Sequence, residues 1–208
     1  MKTKLLFILS IMTFAAATSQ AATVKMKFDF SSYSGSYVTD NVSGITAQMK
    51  NSAAIYNMGK INALNLGASS GYLDMTATAG NLIKSLDDYS ISVYYRVSKD
   101  ENITTAGNFL WAFSTSTACG SDTGVYTAYR LNAQRIATST GGYANETGYD
   151  LATPSPKGKW MHVAYTQSQT TGTLYINGVL IATIDNIPLC PRCCPCGCFR
   201  SSAPCCRS

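Results

Sequence analysis

The chain has 208 residues, of which 46% are hydrophobic, 11% aromatic and only 13% charged, a composition that excludes a disordered tail protein and suits one small globular body. Sixteen basic residues face eleven acidic ones, but Lys2, Lys4, Arg192, Arg200 and Arg207 lie at the two ends, and removing these five leaves eleven against eleven. The basicity therefore belongs to the termini, and a body without net charge argues against a nucleic-acid partner, which needs clustered Lys and Arg to displace counterions.

Residues 1–21 have the layout of a secretory signal peptide. Lys2 and Lys4 precede an apolar run from Leu5 to Phe14, followed by small residues through Ala21 and Ala22. The run is shorter than the roughly 20 apolar residues of a membrane span, so the mature chain is expected to be exported without a transmembrane segment, to the periplasm, the cell surface or the exterior.

From Ala22 to Leu189 the dominant signal is alternation of apolar and polar side chains at period two. Val24 to Phe30 and Tyr89 to Val97 alternate cleanly, and Phe109 to Ser114, Val125 to Leu131 and Lys159 to Thr166 read as further strands. The last of these is apolar on both faces, which predicts a central strand. Ala63 to Leu66 and Tyr72 to Met75 are shorter candidates, and Asn81 to Leu86 is the one stretch suited to a helical turn. Leu174 to Ile176, Asn177-Gly178 and Val179 to Ile181 predict a tight hairpin, because Asn-Gly accepts positive φ at both central positions. Many antiparallel strands, polar loops and no long helix give an all-β, antiparallel two-sheet sandwich of jelly-roll type.

Residues 190–208 differ abruptly. Seven of the eight cysteines lie here with Pro191, Pro195, Pro204 and three arginines. Zinc or redox chemistry from its CxxC spacings, a disulfide framework involving Cys119, and an out-of-frame or disordered tail are three competing readings.

Gly158-Lys159-Trp160-Met161-His162-Val163-Ala164-Tyr165-Thr166 followed by Gly172-Thr173-Leu174-Tyr175-Ile176-Asn177-Gly178-Val179 resembles the laminin-G-like, concanavalin A-like jelly-roll domains of bacterial exported proteins. Gly59 to Leu66, Gly71 to Leu73 and Tyr89 to Arg96 agree with that resemblance, which spans about Val24 to Ile187. It implies a lectin or glucanase sandwich. Relatives usually close the sheet with a strand after the Asn-Gly hairpin, so a chain running from Leu189 into the cysteine-rich tail is expected to be truncated at its C-terminal end.

Catalytic patterns are sparse. The jelly-roll glucanases carry Glu-x-Asp-x-x-Glu on one strand, whereas here Glu101 and Glu146 are the only glutamates and both fall in expected loops. Asp87 and Asp88 are adjacent and read as loop or strand-start residues. His162 is the single histidine, with no Ser or Cys motif aimed at it, and is assigned a structural role. No catalytic residue and no metal site is assigned. A calcium cofactor is common in related lectins, but Asp122 and Asp150 are too isolated to make a ligand set.

The remaining candidate is a binding module. Thirteen tyrosines and two tryptophans offer rings for sugar C–H faces with polar edges for hydroxyls. Tyr126 and Arg130 share one strand face, and Tyr143 and Asn145 lie in the next Gly-rich loop, making a carbohydrate-binding patch, while Trp111 and Trp160 are assigned to the core. The expected partner is a glycan or polysaccharide, bound by an accessory module at the N-terminal part of a longer polysaccharide-degrading protein whose hydrolase domain this chain lacks. A cell-surface adhesion or protein-interaction domain is the alternative, and a glycoside hydrolase a further one.

Overall fold

The computed structural model describes residues 22–68, 70–104, 108–114 and 125–188, together with the backbone of 196–200. The expected leader, Cys119, Asp122 and most of the cysteine-rich segment lie outside these residues.

Two antiparallel sheets stack face to face. One holds four strands in the order β14(Val179–Ile184), β13(Thr171–Ile176), β12(Trp160–Ser168) and β7(Asp88–Arg96). Nine strands form the other, in the order β1(Tyr33–Ser34), β2(Tyr37–Thr39), β3(Thr46–Lys50), β6(Tyr72–Met75), β15(Cys196–Arg200), β8(Phe109–Ser114), β9(Tyr126–Arg130), β10(Arg135–Ser139) and β11(Glu146–Tyr149). A separate hairpin joins β4(Ala54–Asn57) to β5(Asn62–Asn65). This is the all-β jelly-roll sandwich that the period-two patterning predicts.

Alternation fixes which side chains meet between the layers. On β12 the residues Met161, Val163, Tyr165 and Gln167 point inward, opposite Tyr95, Val93, Ile91 and Tyr89 of β7. They pack on Val38, Met49, Leu73, Trp111, Phe113, Tyr129 and Ile136 of the nine-stranded sheet. Gln167, a buried amide in this layer, is satisfied: its Oε1 accepts from Tyr89 Oη at 2.8 Å and Tyr165 Oη at 3.1 Å, and Nε2 donates to the carbonyls of Gln169 and Pro188. Gly172 makes room for Tyr165, since a Cβ there would stand 2.6 Å from its hydroxyl. The Asn177-Gly178 hairpin forms as expected, with φ of 51° and 79°.

Three elements differ from the sequence expectation. Val24–Phe30 joins no sheet: the Lys27 amide donates to Asp40 Oδ1 at 2.7 Å instead of to a strand, and Phe30 breaks the run at φ 60°. Its apolar alternation is still used, because Met26, Phe28 and Phe30 pack against the core. The expected helical turn at Asn81–Leu86 is a longer helix, α1(Thr76–Lys84), which buries Ala79, Gly80 and Ile83. The sheet expected to lack its closing strand receives β15 instead, paired to β6 through Cys198–Asp74 and to β8 through Cys198–Ala112.

Asp40 anchors the β2–β3 turn. Its buried carboxylate accepts from the amides of Lys27, Val42, Ser43 and Ile45 and from the Ser43 hydroxyl. Burial acts to raise its pKa, and these hydrogen bonds outweigh it, holding the carboxyl down at about 2.

Candidate functional site

The face of the nine-stranded sheet that points away from the sandwich core carries a built polar cluster. Register places Ala112, Ala128, Ala137 and Gly148 in one row across β8, β9, β10 and β11. Beside this row of small residues lie Tyr126, Ser139 and Glu146 on one flank, and Arg130 and Arg135 on the other. Small floor residues between the two flanks leave a trough that the Glu146 cluster fills, so that Ala112, Ala128 and Ala137 are buried beneath it.

Glu146 spans that floor. Its Oε1 accepts from Tyr126 Oη and from Arg130 Nη2, while Oε2 accepts from Arg135 Nε at 3.1 Å and Nη2 at 2.8 Å. Arg135 donates its other terminal nitrogen to Asp150 Oδ2 at 2.8 Å. Only 7% of the Glu146 side chain is exposed. Gly148 is required here, because a Cβ would stand 2.1 Å from the Ile136 carbonyl oxygen and push β11 off β10.

A one-turn 3-10 helix, Tyr143–Asn145, carries the aromatic wall. Gly142 at φ 78° turns the chain, its carbonyl accepts from Ser139 Oγ at 2.5 Å, and Asn145 Nδ2 donates to Gly141 O at 2.7 Å. Tyr143 then stands edge-on to Tyr126 with centroids 6.3 Å apart, and the Arg130 guanidinium lies 5.5 Å from the Tyr143 ring centre and 5.8 Å from that of Phe109. Tyr126 is wholly buried, whereas Tyr143 keeps 47% of its surface in solvent.

The structure thus brings the four sequence-derived residues to one place, with different duties. Tyr143 is presented, Tyr126 and Arg130 are supporting members held by Glu146, and the Asn145 amide closes the loop. Sequence reasoning missed Glu146 as the hub, having placed it in a loop; it is the first residue of β11. Glu101 does lie in a loop, near Asn108 Nδ2 at 3.5 Å. Asp87 and Asp88 fall at the start of β7, as expected. Among the described residues no group of three or more His, Cys, Asp or Glu side chains could hold a metal ion, and no helix is long and apolar enough to cross a membrane.

Two readings on β12 need correction. Trp160 is not core: its parity is opposite to that of Met161, Val163 and Tyr165, so it faces outward and is 47% exposed. His162 does have a serine aimed at it, for Ser92 Oγ lies 2.8 Å from His162 Nε2, and its ring stacks on Tyr94 at 4.4 Å.

The family described as the concanavalin A-like lectin/glucanases superfamily matches residues 67–192. The chain belongs to this family. Among solved structures, domain 4 of AbnA, a GH43 extracellular arabinanase from Geobacillus stearothermophilus solved with arabinotriose, is similar at TM-score 0.58 and 14% identity, over 80% of each chain. Botulinum neurotoxin type C, described as interacting with two ganglioside molecules, is similar at TM-score 0.55 and 16% identity, over 79% of this chain and 40% of that one. The binding domain of botulinum neurotoxin DC, solved with SialylT, matches at TM-score 0.55 and 18% identity, again over 40% of its length. These likenesses are of fold. No curated protein matches the sequence at a significant level.

Proposed function

We propose that the trough over β8–β11 binds glycan, with Tyr143 as the stacking ring and the Arg135–Asp150 pair as hydrogen-bonding rim. The observation that carries this reading is the clamp on Glu146. One glutamate holds a phenol and two guanidiniums beneath an exposed tyrosine, so the polar groups stand ordered before any ligand arrives. Preordering of that kind lowers the entropic cost of binding a hydroxylated, weakly apolar ligand. Family membership supports the reading, as do the glycans named with the arabinanase domain and the neurotoxins of the same fold.

In this reading the chain is an exported accessory module of a longer polysaccharide-degrading protein. The apolar segment after Lys2 and Lys4 supports export, and the likeness to domain 4 of an extracellular arabinanase supports the accessory role.

A glycan array followed by calorimetry on the best ligand tests the proposal. Tyr143→Ala should weaken binding by about tenfold, the equivalent of about 1.4 kcal/mol for one stacked ring. Full affinity in both Tyr143→Ala and Arg135→Gln would move the glycan site away from the trough, and an array without any glycan bound, with a protein captured instead, would transfer the function to adhesion. Hydrolysis of an array ligand, lost in Glu146→Gln, would make the trough an active site.

A further inference from the structure

The outward face of the four-stranded sheet ends in a group of features that the trough does not use. Trp160 stands directly opposite Arg96 across β12 and β7, and one row further in, Tyr94 stacks on His162. Tyr94 is 72% exposed, so the ring face turned away from His162 lies in water. Flat rings on a flat sheet face form a platform, and the neighbouring rows are hydroxyls: Ser92 and Ser90 on β7, Thr166 on β12 and Thr173 on β13.

Positive charge gathers at the same end. Gly158 N donates to Val97 O at 2.8 Å and Lys157 bridges Val97, which brings the segment before Trp160 against the end of β7. The Lys99 side chain lies along that segment, its Cγ 2.9 Å from where a Gly158 Cβ would stand. Arg96, Lys99, Lys157 and Lys159 are all exposed, and among the described residues none of the four has an ion-pair partner. Asp100 and Glu101 are the acidic residues that follow Lys99 in sequence.

We infer that this end of the sheet is a second binding site, specific for an acidic glycan, with the Trp160 and Tyr94 rings stacking on sugar faces and Arg96, Lys157 and Lys159 receiving carboxylate or sulfate groups. The choice of partner follows from charge and composition. Like charges disfavour a second copy docking through this face. A nucleic acid needs cations along its whole track, whereas here they end within one row and hydroxyls continue. An acidic sugar chain matches both halves, with C–H faces for the rings and anions for the unpaired cations. The site lies on the opposite sheet from the trough and does not depend on it.

Calorimetric titration of the full chain with oligogalacturonate tests the inference, with heparin fragments as the sulfated probe and xylo-oligosaccharide as the neutral one. The acidic oligomers should bind, and raising the salt from low to physiological ionic strength should weaken them severalfold. Tyr94→Ala and the double variant Lys157→Gln/Lys159→Gln should each weaken them about tenfold with unfolding temperature unchanged, since all three side chains project into solvent. Tyr143→Ala should leave this binding intact, which separates the failure of one site from the failure of the other. Equal binding of the neutral oligomer, indifference to both variants, or preference for phosphatidylserine vesicles or oligothymidylate would overturn it.

Discussion

Replacing Glu146 by Gln keeps the side-chain shape and removes the charge on which the trough is built. Arg130, with 13% of its side chain exposed, then loses its carboxylate at a site where water cannot fully take over. Breaking a buried ion pair from one side costs about 3–5 kcal/mol. The lower end applies here, because Arg135 is 24% exposed and keeps Asp150. A loss of about 3 kcal/mol in a domain of this size lowers the unfolding temperature by roughly 6–12 °C. Differential scanning calorimetry at neutral pH reads this directly, with Arg135→Gln as the control expected to lose no more than about 1 kcal/mol. A Glu146→Gln protein melting within about 2 °C of the parent would refute the claim that this carboxylate organises the face.

Other consequences follow from single contacts. Gly148→Ala should destabilise the domain by about 1–3 kcal/mol in urea unfolding, since the added carbon meets a backbone carbonyl that cannot turn aside. Asp40 has its folded pKa lowered from 3.8 to about 2, so its contribution is complete above pH 4 and vanishes as pH falls through 2. That difference is worth about 2 kcal/mol, and acid unfolding of Asp40→Asn should lack this part of the pH dependence. Gly172→Ala should lower stability by displacing the Tyr165 hydroxyl from Gln167, an effect visible as a shifted tyrosine ring resonance.

Most of the sandwich was legible because period-two alternation is imposed by burial of one strand face. Tyr89 to Val97 and Val125 to Leu131 needed no tertiary information to be read as strands, and Asn177-Gly178 declared its turn through backbone chemistry. The errors arose where pairing, not pattern, decides. Val24 to Phe30 alternates perfectly and packs accordingly, yet its amide partner is the Asp40 side chain, a choice no local pattern announces. Trp160 was readable: it shares parity with His162 and Ala164, opposite to Met161 and Val163, but a run apolar at nearly every position masks which face is inside. Glu146 was illegible because its role depends on a register in which Ala128, Ala137 and Gly148 clear a path to both arginines. Tyr126 and Arg130 were placed on one face correctly, since residues four apart on a strand must share it.

Glycan binding in the β8–β11 trough can be followed residue by residue, by titrating isotope-labelled protein with the best array ligand and recording amide resonances. Saturable shifts should concentrate in residues 141–150 and in Arg130 and Arg135. Shifts confined to other surfaces, or none at ligand concentrations that saturate calorimetric binding, would contradict it.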